Sequence, residues 1–152
     1  NKGVDGEQAV EAGRRVTASG MKLSMMIILG LACAEGSERH ALATAKAINI
    51  IKPTHLSALC LMLYRGSELL DQYEAGKFNP LSPAGLMREL KLIIENIDLP
   101  ADRHCLFRSN HVSNYVQLAA TLPHDKQRLL RDIDYSIAQL SKLKSWDVYN
   151  YN

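Results

Sequence analysis

The chain is predicted to fold as an α/β domain, with about three mostly parallel strands joined by crossover helices. Two observations carry that prediction. Strand-like and helix-like segments alternate along the 152 residues, with connections long enough for parallel crossovers. The strand segments are near-continuous apolar runs, the pattern of strands covered on both faces. A third observation concerns function. The stretch Phe107-Arg108-Ser109-Asn110-His111-Val112-Ser113-Asn114-Tyr115 follows the apolar run Cys105-Leu106-Phe107 directly. A strand ending in Arg, Asn and His is how α/β proteins present a site at the carboxyl ends of their strands. Asn and Ser also build hydrogen-bonded turns, which is the structural alternative.

Taken in order, Asp5 caps a first helix and Gln8 completes a capping box. Ala9, Val10, Ala12 and Val16 mark its apolar face, and Gly20 ends it. Residues 22–29, Lys-Leu-Ser-Met-Met-Ile-Ile-Leu, form the first strand. A small-residue loop over 30–36 leads to Ser37, the expected cap of a second helix with apolar positions at Ala41, Leu42, Ala45, Ile48 and Ile51. Lys52-Pro53 stops it, because the residue before proline avoids the αR region. Residues 55–64 form the second strand, and a short helix then runs to about Gly76. Ser82 caps the next helix with Pro83 in its first turn, and Leu86, Leu90, Ile93, Ile94 and Ile97 form its stripe up to Pro100. Residues 104–107 are the third strand, and a last helix opens at Pro123 with Leu130, Ile133, Ile137 and Leu140 on one face. The tail 146–152 has no helical period.

Composition narrows the function. The apolar fraction of 47% and the charged fraction of 22% belong to an ordinary globular chain with room for a core. A net charge of +2, without blocks of like charge, argues against a nucleic-acid partner. The longest apolar run, residues 25–29, is far too short to span a bilayer. Cys33, Cys60 and Cys105 are odd in number and far apart, which suits a reducing, cytoplasmic setting without disulfides. The start at Asn1, without Met or leader, is expected of a piece of a longer polypeptide.

No P-loop, G-x-G-x-x-G, H-E-x-x-H or C-x-x-C occurs. The five histidines show no helical i, i+4 pair, so metal-ligand spacing is absent. His111, between Asn110 and Asn114, is the one singled out, because histidine titrates near neutrality and can accept or donate a proton. The cysteines are spaced too widely for local cluster ligation, and Cys60 sits in an apolar strand as a small hydrophobe would. Glu68, Asp71 and Glu74 recur at helical spacing as a solvated face.

Several segments together resemble a known family. They are Met26-Ile27-Ile28-Leu29-Gly30-Leu31-Ala32, Glu35-Gly36-Ser37-Glu38-Arg39-His40-Ala41, the stretch from Lys52-Pro53 to Glu68-Leu69, and the loop 107–115 with Leu122-Pro123 and Asp125-Lys126 after it. Over residues 3–140 the chain resembles the later part of the radical S-adenosylmethionine barrel, in a group of iron–sulfur enzymes of unassigned reaction. The loop 107–115 is the most specific part. The resemblance implies a partial TIM-like (βα) barrel over residues 1–145, followed by the tail 146–152. It also implies S-adenosylmethionine and a [4Fe–4S] cluster in the full-length protein, which would abstract hydrogen from a small-molecule or other substrate.

The C-x-x-x-C-x-x-C loop that binds such a cluster is absent from this chain, so the chain alone is expected to be inactive. By the same resemblance, Ile28 and Gly30 contact the adenine, Leu63 and Tyr64 line its pocket, and Arg108, Asn110, His111 and Asn114 face substrate. Two departures stand out. Cys33 occupies the place of the usual acidic residue, and Arg65 rather than proline precedes Gly66. The partner implied is the missing N-terminal barrel half, or a second copy meeting the open sheet edges. The rival expectation is a non-catalytic α/β binding module that associates through those edges.

Overall fold

The computed structural model describes residues 3–142, so the tail 146–152 and the 145 boundary lie outside the described residues. Nine elements follow in order: α1 (Gly6–Ala18), β1 (Ser24–Leu29), α2 (Cys33–Ile51), β2 (His55–Cys60), α3 (Glu68–Glu74), α4 (Pro83–Asn96), β3 (Cys105–Ser109), β4 (Leu118–Leu122) and α5 (Lys126–Leu140). The fold is α/β with one mixed sheet in the order β1-β2-β3-β4. β1, β2 and β3 are parallel neighbours, as expected. β4 is an addition to that expectation and runs antiparallel to β3. The sequence hides it because Leu118-Ala119-Ala120-Thr121-Leu122 is short and rich in small residues.

Local signals account for most helix ends. The Asp5–Gln8 capping box forms in both directions. Ser82 Oγ accepts the Gly85 N–H, with Pro83 in the first turn of α4. Lys52 closes α2 in the left-handed region just before Pro53. Two boundaries differ from expectation. α4 ends at Asn96, ahead of Pro100, and β2 stops at Cys60 rather than at residue 64. The start of α2 differs more. The helix begins at Cys33, four residues before Ser37, and no side chain caps it. Gly30 at φ +82 and Cys33 at φ +53 turn the chain directly from strand to helix, closed by Cys33 N–H donating to Gly30 O at 3.2 Å. Ser37 is thereby left for another role.

Consecutive parallel order has a geometric consequence. Parallel crossovers share one hand, so strands added in sequence order place their helices on the same face. α2 packs on α4, and α4 on α5, beneath a single face of the sheet. Ile27, Leu29, Leu56, Ala58, Cys60, Cys105, Phe107, Leu118, Ala120 and Leu122 point into that core. The expectation of strands covered on both faces is therefore corrected. Met26 is 72% and Ile28 43% exposed on the opposite face, with Leu106 beside them. α2, α4 and α5 leave these residues uncovered, and among the described residues no helix is long and apolar enough to cross a membrane.

Candidate functional site

The parallel strands end on one rim, and two polar groupings meet there. The first is the loop after β3. β2 and β3 pair only as far as Ser57 and Arg108. Beyond that point Asn114 takes over. Its Nδ2 donates to Ala58 O at 2.8 Å, and its Oδ1 accepts Cys60 N–H at 2.8 Å. These are the two groups that a parallel strand residue opposite Leu59 would bond, so the side-chain amide extends the ladder by one residue. Ser113 Oγ accepts the same Cys60 N–H at 3.2 Å and lies 2.9 Å from His111 Nδ1. That ring nitrogen also accepts the Ser113 backbone N–H at 3.1 Å.

Of the residues expected to face substrate, Asn114 is thus committed to the strand. Arg108, Asn110 and His111 are exposed at the rim, Arg108 with its Nη1 donating to Phe107 O at 2.7 Å. Of the residues expected around adenine, Ile28 projects from the bare face and Gly30 forms the turn at the end of β1. A Cβ at Gly30 would stand 2.8 Å from Leu86 Cδ2, so only glycine fits both the space and the φ. Tyr64 is exposed, whereas Leu63 is buried. Ser109 Oγ, buried at the end of β3 on the covered face, has no hydrogen-bond partner among the described residues.

The second grouping was not anticipated. Glu89 of α4 is 2% exposed, and its carboxylate gathers three donors from the β1–α2 junction. Oε1 accepts Gly30 N–H at 2.8 Å and lies 3.1 Å from His40 Nδ1, while Oε2 accepts the Ser37 hydroxyl at 2.5 Å. Burial pushes the Glu89 carboxyl up. The hydrogen bonds from His40, Ser37 and Gly30, with the His40 charge, outweigh burial and hold it below the usual carboxylate range. The anion is therefore the stable form at neutral pH, and it fixes the turn at the rim from beneath. One signal was available in sequence: Glu89 stands three residues after Leu86 and four before Ile93, inside the apolar stripe of α4.

The thiols do not fit a [4Fe–4S] cluster. Cys60 ends β2, whereas Cys105 begins β3 beside the other end of β2, and Cys33 opens α2. Burial pushes the thiols of both Cys60 and Cys105 up to about 11, which disfavours the thiolates a cluster needs. No group of three potential metal ligands occurs among the described residues. Ile28 presents an exposed apolar side chain near the rim, whereas Gly30 is buried, with Leu86 against it and its N–H held by Glu89. No protein-family model and no curated protein matches the chain.

Proposed function

We propose that this chain is the C-terminal half of a radical S-adenosylmethionine iron–sulfur enzyme and forms one wall of its partial (βα) barrel. The observation that carries this reading is a sheet that α2, α4 and α5 cover on one face while Met26, Ile28 and Leu106 are exposed on the other. Barrel strands turn one face to an outer ring of helices and the other to a shared interior. Met26, Ile28 and Leu59 would line that interior, and the free edge of β1 would pair with the N-terminal barrel half. The parallel rim supports the same reading, because it gathers Gly30, Tyr64 and the 107–115 loop as a barrel mouth does.

In the complete enzyme, S-adenosylmethionine would supply a 5′-deoxyadenosyl radical after one-electron reduction. This chain's share is binding and orientation. Ile28 offers an apolar surface to the adenine, and Glu89 fixes the turn at the end of β1 by accepting the Gly30 N–H. Arg108, Asn110 and His111 face substrate, and Asn114 keeps their loop seated on β2. The cluster ligands must come from elsewhere, since the thiols here do not fit.

The test is to read the coding sequence upstream of Asn1, express the longer polypeptide, and reconstitute it anaerobically. A C-x-x-x-C-x-x-C motif, a [4Fe–4S] signal by electron paramagnetic resonance and release of 5′-deoxyadenosine are expected. The isolated chain should give neither signal nor product. A chain without upstream cysteines, or a stoichiometric cluster held by Cys33, Cys60 and Cys105, overturns the proposal. The former result would favour the non-catalytic binding module.

A further inference from the structure

The two edges of the sheet are finished differently. On β4 the outward backbone groups are occupied. Asp125 Oδ2 accepts the Thr121 N–H at 2.8 Å, the Asp125 N–H donates to Thr121 O at 2.8 Å, and Arg128 Nη2 donates to Ala119 O at 3.0 Å. Asp125 and Arg128 meet at 3.2 Å, so the start of α5 seals that edge. On β1, Leu23 O accepts the Thr54 and His55 N–H groups and Leu29 O accepts that of Leu61, which turns the odd-numbered residues toward β2. The N–H and C=O groups of Met26 and Ile28 therefore face outward, and they have no partner among the described residues. Beside this edge runs a groove between β1, α1 and α2. α1 is tied to α2 by Thr17 Oγ1 donating to Ile51 O at 2.7 Å, and none of its residues is buried. Val10 and Val16 of α1, Met25 of β1 and Ala47 of α2 give the groove apolar walls, and Asp5, Glu7 and Glu11 outnumber Lys46 among its charges.

We propose that the β1 edge accepts one extended strand, parallel to β1, supplied by the segment that feeds α1 in the longer polypeptide. Its main chain bonds Met26 and Ile28, its alternate apolar side chains fill the groove beside α1, and a basic residue among them meets the acidic wall. The direction follows from handedness. α1 leads into β1 and packs on α2, and a right-handed crossover puts the strand before α1 on the side of β1 away from β2, pointing the same way. Charge separates this occupant from a second copy. β1 holds no basic residue, and two such grooves brought together would set acidic wall against acidic wall. The inference rests on the chain being part of a longer polypeptide, as proposed above, and not on radical chemistry.

Hydrogen exchange of the labelled chain, read in 1H–15N spectra, provides the test, with the peptide Lys-Thr-Val-Thr-Val-Thr-Lys at millimolar concentration as the probe. In the chain alone the Met26 and Ile28 amides should exchange several-fold faster than that of Thr121. The peptide should slow both of them several-fold. In a parallel strand with Val and Lys turned toward the helices, the Val amides bond β1 and the Thr amides face away. Methylating the Val nitrogens should therefore abolish the protection, and methylating the Thr nitrogens should preserve it. Replacing both Lys by Glu should weaken it several-fold. Slow exchange at Met26 and Ile28 in the chain alone would mean that the edge is already covered, by a second copy if the slowing grows with concentration. The reverse methylation pattern would make the strand antiparallel, equal protection by the Glu peptide would remove the charge selection, and no protection at all would leave the edge without a strand. Each of these results overturns the proposal. Cluster assembly and 5′-deoxyadenosine release, which test the radical reading, are separate readouts.

Discussion

The two faces of the sheet have opposite fates, and along β1 they are made of similar residues. On the covered face Leu29, Leu56, Phe107 and Leu122 are fully buried against Ile48, Leu90, Ile94 and Ile133 from three helices. On the bare face Met26, Ile28 and Leu106 meet solvent. Both faces of β1 are apolar, so its sequence shows an unbroken run. Such a run signals a strand suited to cover on both sides, and this chain supplies cover for one. Burying Met26 or Ile28 would stabilise an assembly by about 1.5–3 kcal/mol each. At β1 the difference is thus one of partner more than of residue type, whereas across β2 and β3 the bare face also carries His55, Ser57 and Arg108.

Substitutions on the two faces should have very different costs. Phe107→Ala on the covered face should cost about 3–5 kcal/mol in urea unfolding, because the helices behind it cannot collapse fully into the space. Glu89→Ala should cost about as much, roughly 3–5 kcal/mol, since it leaves His40, Ser37 and the Gly30 N–H facing a vacated buried site. A small effect at either position would mean that the helix layer is looser than described.

Glu89 adds a pH dependence whose sign follows from its lowered folded value. Its contribution is complete above the unfolded carboxyl value of about 4.5 and is lost as the pH falls through the folded value. The stability gap between the native chain and Glu89→Gln should therefore shrink below about pH 4.5. A gap that is flat or widens in acid contradicts the assignment. Asn114→Ala should cost about 1–3 kcal/mol, because Ala58 O and Cys60 N lose the amide that completes their ladder. Ile28→Ala and Asn110→Ala should stay within about 0.5 kcal/mol in the isolated chain, as exposed sites do. A large loss at Ile28 would mean that something already covers the bare face.

The sequence made the parallel strands and most helix ends legible, because each rests on local chemistry. Asp5 with Gln8, Ser82 with Pro83, and Lys52 with Pro53 act over a few residues, and all three act as expected. The polar loop was legible as a location, but not as a set of roles. Nothing local to Asn114 shows that its amide will replace a strand peptide opposite Leu59, since that depends on where β3 turns away from β2. Ser37 resembled a cap because caps and buried partners draw on the same residue types. Its actual partner lies 52 residues away. Glu89 was hidden for the same reason, as its three donors come from a distant turn and helix. Residues dense in sequence drew attention, while the most convergent polar cluster is dispersed along the chain.

If the bare sheet face becomes an interior wall, Met26 is the residue that reports it. Met26 is 72% exposed on that face, and Met21, before β1, is 59% exposed as an internal reference. Mild peroxide oxidation followed by peptide mass spectrometry would compare the isolated chain with the longer polypeptide. In the isolated chain both methionines should oxidise at similar rates. In the longer polypeptide Met26 should slow several-fold relative to Met21, as the packed floor of a barrel requires. An unchanged ratio would mean that the face stays open to solvent in the longer polypeptide.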